Sequence, residues 1–345
     1  MRRRAFLEIG GAAGLASLAG CLSAESRPPE IEPGPQWRRD GEVYHTGHTG
    51  GMEMIGFAQA GPLTVGLSYD FPTQFWTVAG SRRNRIELTD RNDAVHIMAS
   101  VWHTETETVF PIASGLRVTV ERDGTSPIQK ALWPMLSQKM GFHFGDNFKL
   151  EEWGEYSITV DIGSSPLEKR GGLQESFEEA DSVSFTYNFQ LSKRDYNISG
   201  KELPDKRGTH TAAPPMQMSR HPLSFAPRPS ELPGRLLGRA TSGDADFLVL
   251  SEGSSLVVSP RTPFNRFVLP LMSLSARVER DGQTVSEGSL TPTIDPTRKY
   301  HYRRPTDGLE SGDTITISVD APPQTARHPG YESAFLEMSD VTITV

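Results

Sequence analysis

His45, His48, Met52, Glu53, Met54, His96, Met98, His103, Met135, Met140 and His143 crowd into the first half of the chain. Imidazole, thioether and one carboxylate make a ligand set suited to copper, and the imidazoles and carboxylate also suit iron or zinc. If Met52-Glu53-Met54 is a strand, alternation sets both thioethers on one face and the carboxylate on the other. His96 and Met98 share a face by the same rule. A methionine in a strand is most often core packing, and a lone histidine is more often satisfied than ligating. Clustering is what lifts metal ligation above that background. Other chemistry is poorly supplied. The chain has no Gly-x-Ser-x-Gly elbow, no His-Glu-x-x-His helix, no phosphate-binding glycine loop and no cysteine nucleophile. His45-Thr46-Gly47-His48 lacks a nearby general-base carboxylate. Binding, not catalysis, is expected, and the chain is not read as an enzyme.

The elements that must position these residues are strands. Leu116, Val118 and Val120 alternate with Arg117, Thr119 and Glu121, and Asp123-Gly124 supplies a hairpin turn. Tyr156 to Ile162 and Val183 to Phe189 alternate likewise, as do Val341, Ile343 and Val345 at the end of the chain. Only Leu173 to Ala180 could hold a helical turn. There is also an internal echo. Val120-Glu121-Arg122-Asp123-Gly124 returns as Val278-Glu279-Arg280-Asp281-Gly282, and at the same shift of 158 residues Pro134 meets Pro292 and His143 meets His301. Phe177 meets Phe335 and Val183 meets Val341 in step. A constant shift over such a length reads as a duplicated module. The expected architecture is all-β: two tandem immunoglobulin-like β-sandwich domains, residues 41–190 and 205–345, joined by a polar linker over 191–204.

Composition agrees. Of 345 residues, 36% are hydrophobic and 23% charged, which excludes a fibrous, disordered or polytopic membrane chain. The 32 glycines and 26 prolines suit a turn-rich β protein. Net charge is -8 with no basic run, so nucleic acid is not an expected partner. A single cysteine leaves no internal disulfide.

That cysteine has a place. Arg2, Arg3 and Arg4 precede an apolar stretch that ends at Leu18-Ala19-Gly20-Cys21. The arginines resemble a twin-arginine export signal, and the stretch before Cys21 resembles a lipobox, in which the cysteine is lipidated and becomes the new N-terminus. Residues 1–21 then form a lipoprotein signal and 22–40 a tether. The mature protein is expected outside the cytoplasmic membrane, held to its outer face by Cys21. Asn197-Ile198-Ser199 is an acceptor sequon in the linker, so Asn197 is a candidate glycosylation site.

Gly51-Met52-Glu53-Met54, Trp133-Pro134-Met135-Leu136-Ser137 and His143-Phe144-Gly145-Asp146-Asn147 resemble the periplasmic high-affinity iron-transport protein family. Long lipoproteins with this signal also resemble those of halophilic archaea. The family resemblance spans roughly residues 50 to 165. It implies an immunoglobulin-like sandwich that binds copper, takes part in ferrous iron uptake and commonly dimerises. Carried over, Glu53 matches the carboxylate ligand, His143 the histidine of the His-Gly-Asp loop, and Met135 the second methionine of a Met-Pro-Met run whose first is Trp133 here. In the third region His96 matches the first position of the family's strand. The ligand position falls on Trp102, with His103 one residue late, and a one-residue slip turns His103 to the other face unless a bulge restores it.

The second copy looks emptied. Gln217 stands for Glu53 and Thr293 for Met135, while Ser255, Val257 and Thr262 stand for His96, Met98 and His103. Only His301 persists, so this half reads as structural. The expected site is therefore Glu53, His143 and Met135 with one of His96, Met98 or His103, holding copper or iron. Asp146 or Asn147 is expected to fix the His143 ring. Expected partners are the membrane through the lipid, an iron permease or other envelope protein, and a second copy as homodimer. The competing reading is a metal-free immunoglobulin-like surface lipoprotein that binds protein or envelope.

Overall fold

The computed structural model describes residues 42–86, 94–113, 115–150, 154–174, 176, 181–190 and 198–345. Arg2, Arg3, Arg4, Cys21, the tether, Phe177 and Asn197 lie outside the described residues. The fold is all-β. Besides strands, the described residues hold only short 3-10 turns at Gly171–Leu173, Pro204–Lys206 and Pro229–Glu231.

In the first half one continuous path of pairings runs from Asp181–Phe189 through Gly154–Ile162, Leu116–Glu121, Ile128–Ser137, Gly141–Lys149, Ala94–His103 and Leu63–Asp70 to Glu53–Ala60. The two ends of the path pack together, with Gly56 beside the ring of Phe185. The sheet thus folds over itself around Val65, Leu67, Val101, Val118, Phe144 and Ile158, all fully buried. Alternation explains the facing: Leu116, Val118 and Val120 are buried, while Arg117 and Glu121 are exposed and Thr119 half-buried. The second half has two sheets, one from Arg235–Ser242 to Thr291–Asp295 and one from Gln283–Ser289 to Val341–Thr344. Its hairpin turns at Asp281-Gly282, with φ of 50° and 75°, the positive pair that a two-residue hairpin requires.

The halves are laced together. The short strand Ala326–Arg327 leaves the second half and lies between Ile128–Ser137 and Phe75–Ala79 of the first. Ala326 pairs in parallel with Met135, and the His328 amide donates to the Leu136 carbonyl at 3.2 Å. The reverse exchange occurs 158 residues earlier. Glu168 pairs in parallel with Thr293, and the Arg170 amide donates to the Ile294 carbonyl at 3.0 Å. The segment read as linker also takes part, since Gly200–Glu202 pairs with His48–Gly50.

Buried polar groups hold the crossing. Gln138, almost wholly buried, donates to the carbonyls of Tyr44 at 2.8 Å and Gly330 at 3.2 Å and accepts from the Ala213 amide at 2.7 Å. Within the crossing segment itself, Arg327 is fully buried and donates to the Thr325 carbonyl at 2.5 Å and the Pro323 carbonyl at 2.8 Å. Each such group needs its partners, because an unsatisfied buried donor is costly. The loop that carries His328 is therefore fixed from both halves.

Candidate metal centre

His96, His143 and His328 converge: one ring nitrogen from each lies within 4.8 Å of the other two. His143 Nε2 is 3.2 Å from His328 Nε2, which is also 3.2 Å from Met135 Sδ. His143 stands directly across from Met135 in the Ile128–Ser137/Gly141–Lys149 pairing. His96 reaches in from the neighbouring strand, opposite Asn147. Gly145 completes the arrangement. A methyl built on it would sit 2.8 Å from His96 Nε2 and 3.0 Å from Met135 Sδ, so the missing side chain leaves room on which a nitrogen and a sulfur both border.

Hydrogen bonds decide which nitrogen faces that room. Asn147 donates from Nδ2 to the Thr73 carbonyl at 2.9 Å and accepts at Oδ1 from the Thr73 amide at 3.1 Å, which fixes its orientation. Its Oδ1 therefore accepts from His96 Nδ1 at 3.0 Å, so His96 Nε2 carries the bare lone pair. That Nε2 is buried and has no partner. The Gly141 carbonyl can only accept, so His143 Nδ1 donates to it at 3.1 Å, and His143 Nε2 is likewise bare. His328 supplies the proton between the rings, and a tautomer shift to Nδ1 turns all three Nε2 lone pairs inward. Asn147 thus serves His96, and the backbone of Gly141 serves His143, where the sequence assigned Asp146 or Asn147 to His143. Asp146 is held by Lys130 at 3.6 Å instead.

Burial keeps these rings neutral. It lowers His96 to about 4 and His143 to about 3, and it drives His328 well below the ordinary imidazole range. Neutral imidazoles are the form a metal binds, so protons scarcely compete above pH 5. A stability consequence follows. Among the described residues seven imidazoles are lowered, against three carboxyls, Asp70, Asp146 and Asp244, that are raised. Between about pH 6.5 and 4 the unfolded imidazoles take up protons that the folded ones refuse. Stability is full above about 6.5 and is lost as pH falls; the raised carboxyls act in the opposite sense but are fewer. Each fully shifted group is worth about 1.4 kcal/mol per pH unit. The urea midpoint of metal-free protein should fall steeply from pH 6.5 to 4.5, and a flat or rising midpoint would contradict the neutral cluster.

Other candidate residues are placed differently. Met98 is buried and lines the cavity beside the cluster. Glu53 opens the Glu53–Ala60 strand opposite Tyr69, and alternation turns it away while its neighbour Met52 lines the cavity. His103 ends the strand on which His96 lies near the start, seven residues and roughly 23 Å away. Its Nδ1 accepts from the Thr106 amide at 3.3 Å within a local turn. Neither Glu53 nor His103 joins the cluster. His328, absent from the sequence-based set, does. The shift of 158 residues pairs it with Arg170, so comparing the halves gives no hint of a ligand there. The second half, read as structural, therefore contributes a cluster residue.

Residues 230–344 match a family described only as a domain of unknown function, DUF7350. No curated protein matches the chain. Among solved structures, a copper-bound variant of FetP from uropathogenic Escherichia coli strain F11 is similar at 16% identity, with a TM-score of 0.30, covering 40% of this chain and 97% of that one. FetP of the same strain as isolated gives 15% identity and a TM-score of 0.29, covering 40% of this chain and 96% of that one. No helix among the described residues is long and apolar enough to cross a membrane.

Proposed function

We propose that the protein binds one copper ion between its halves, through His96, His143, His328 and Met135, and does so outside the cytoplasm. The observation that carries the reading is the convergence of three imidazoles and one thioether, with His96 Nε2 and Met135 Sδ bordering the space left by Gly145. Three imidazoles and a thioether with no carboxylate favour copper over ferrous iron, which prefers a mixed histidine–carboxylate set. Copper so held supplies one-electron chemistry. The chain's own part is to orient the rings through Asn147 and Gly141 and to keep them neutral. Accessory service to iron uptake, with an iron permease or other envelope protein as partner, rests on the motif resemblance. Anchoring rests on the Cys21 lipobox; Cys21→Ser should release the protein or leave its signal uncleaved, and a variant that keeps its lipid mass and membrane location would refute it. The main test is Cu(I) titration against a competing chelator. One tightly bound equivalent is expected, with ferrous iron binding more weakly. Absence of any bound copper would leave the metal-free surface lipoprotein as the better reading.

A further inference from the structure

The cavity beside the histidines carries charge that the copper reading does not use. It has a volume of about 190 Å³ and is bordered by His143, His328, Asp70, Lys139, Met52 and Met216. Such a space holds several waters or one small organic acid. Lys139 sits in the hairpin between Met135 and His143, and its ammonium donates to the Gly50 carbonyl at 2.9 Å. Among the described residues it makes no second hydrogen bond. Asp70 accepts from the Phe71 amide at Oδ1, 2.6 Å away, and turns Oδ2 towards Gly50. A methyl built on Gly50 would lie 3.7 Å from Asp70 Oδ2 and 3.9 Å from Lys139 Nζ. The two charges flank the same glycine, and no ion pair joins them among the described residues.

Charge balance gives the arrangement a use. Three neutral imidazoles and a thioether bring no negative charge to a metal. Copper adds one or two positive charges where Lys139 already supplies one, and a single carboxyl, Asp70, stands against them. A net positive charge buried in this way is costly unless an anion joins it. The cavity is the side from which an anion can reach the cluster.

We propose that this cavity takes a small carboxylate anion as a co-ligand of the bound metal, held by Lys139 Nζ, with its carbon end towards Met52 and Met216. The inference rests on the copper reading, and its test separates the two. Purified protein loaded with one equivalent of Cu(II) is titrated with sodium acetate at constant ionic strength in perchlorate. The ligand-field band and the carbon relaxation of labelled acetate are followed together. Wild type should show a saturable band shift, Lys139→Met should need at least tenfold more acetate, and Lys139→Arg should behave like wild type. Methylammonium should do nothing. Absence of a shift in wild type, or an equal shift in Lys139→Met, would overturn the proposal. Copper affinity is measured without acetate in each protein. Copper that binds without an acetate response defeats the co-ligand alone, whereas copper that does not bind defeats both.

Discussion

His328→Ala is expected to weaken copper binding by about a hundredfold or more. Disturbing a residue that merely orients a ligand typically costs 10–100-fold, so deleting a ligand should exceed that range. The expectation is specific because His328 lies 185 residues from His143 in sequence and in the half that looks emptied. His301→Ala is the matched control. His301 stands opposite Thr293 in its pairing as His143 stands opposite Met135, and it is equally buried, with Nδ1 on the Lys299 carbonyl at 3.0 Å. Yet the positions around it that correspond to Met135, His96 and His328 hold Thr293, Ser255 and Arg170. One imidazole without soft or nitrogen partners makes no closed site, so His301→Ala should leave copper affinity unchanged. Wild-type affinity in His328→Ala, or equal losses in the two variants, would show that the metal does not sit between the halves.

Gly145→Ala should be nearly as damaging, for a different reason. The added methyl would lie 2.8 Å from His96 Nε2, against a ring already locked by Asn147, and 3.0 Å from Met135 Sδ. It occupies the space towards which the ligands point. The φ of Gly145 is not positive, so alanine suits the backbone and the fold should survive. Crowding of the metal-free protein should cost about 1–3 kcal/mol of stability, the range usual for an extra methylene in a packed interior. Copper affinity should fall by about a hundredfold. Calorimetry with and without copper reads both effects: wild type should gain thermal stability on adding copper, and Gly145→Ala should not. A variant that still gains the full shift would place the metal elsewhere.

Strand alternation made much of the fold legible. Leu116–Glu121, Gly154–Ile162 and Asp181–Phe189 carry a period-two pattern that one buried face enforces, and the Asp-Gly turn at 281–282 marks its own hairpin. The site was half legible. His143, Met135 and His96 lie on two adjacent pairings within one sheet, where motif spacing constrains them. Glu53 stands apart from the histidines because Leu63–Asp70 lies between its strand and the one that carries His96. His328 was not legible. It depends on a two-residue strand, Ala326–Arg327, that crosses between halves, and elements that short leave no periodicity. What holds the crossing, the Gln138 side chain bonded to Tyr44, Gly330 and Ala213, is a matter of long-range hydrogen bonding that local sequence does not encode.

X-ray absorption at the copper edge of the Cu(I)-loaded protein tests the central claim most directly. The expected spectrum shows a nitrogen shell with the multiple scattering of imidazole and one longer sulfur shell. The sulfur should vanish in Met135→Leu, and the imidazole count should fall by one in His328→Ala. A shell of light atoms with no sulfur in wild type, or an unchanged imidazole count in His328→Ala, would contradict a copper site built by Met135, His96, His143 and His328.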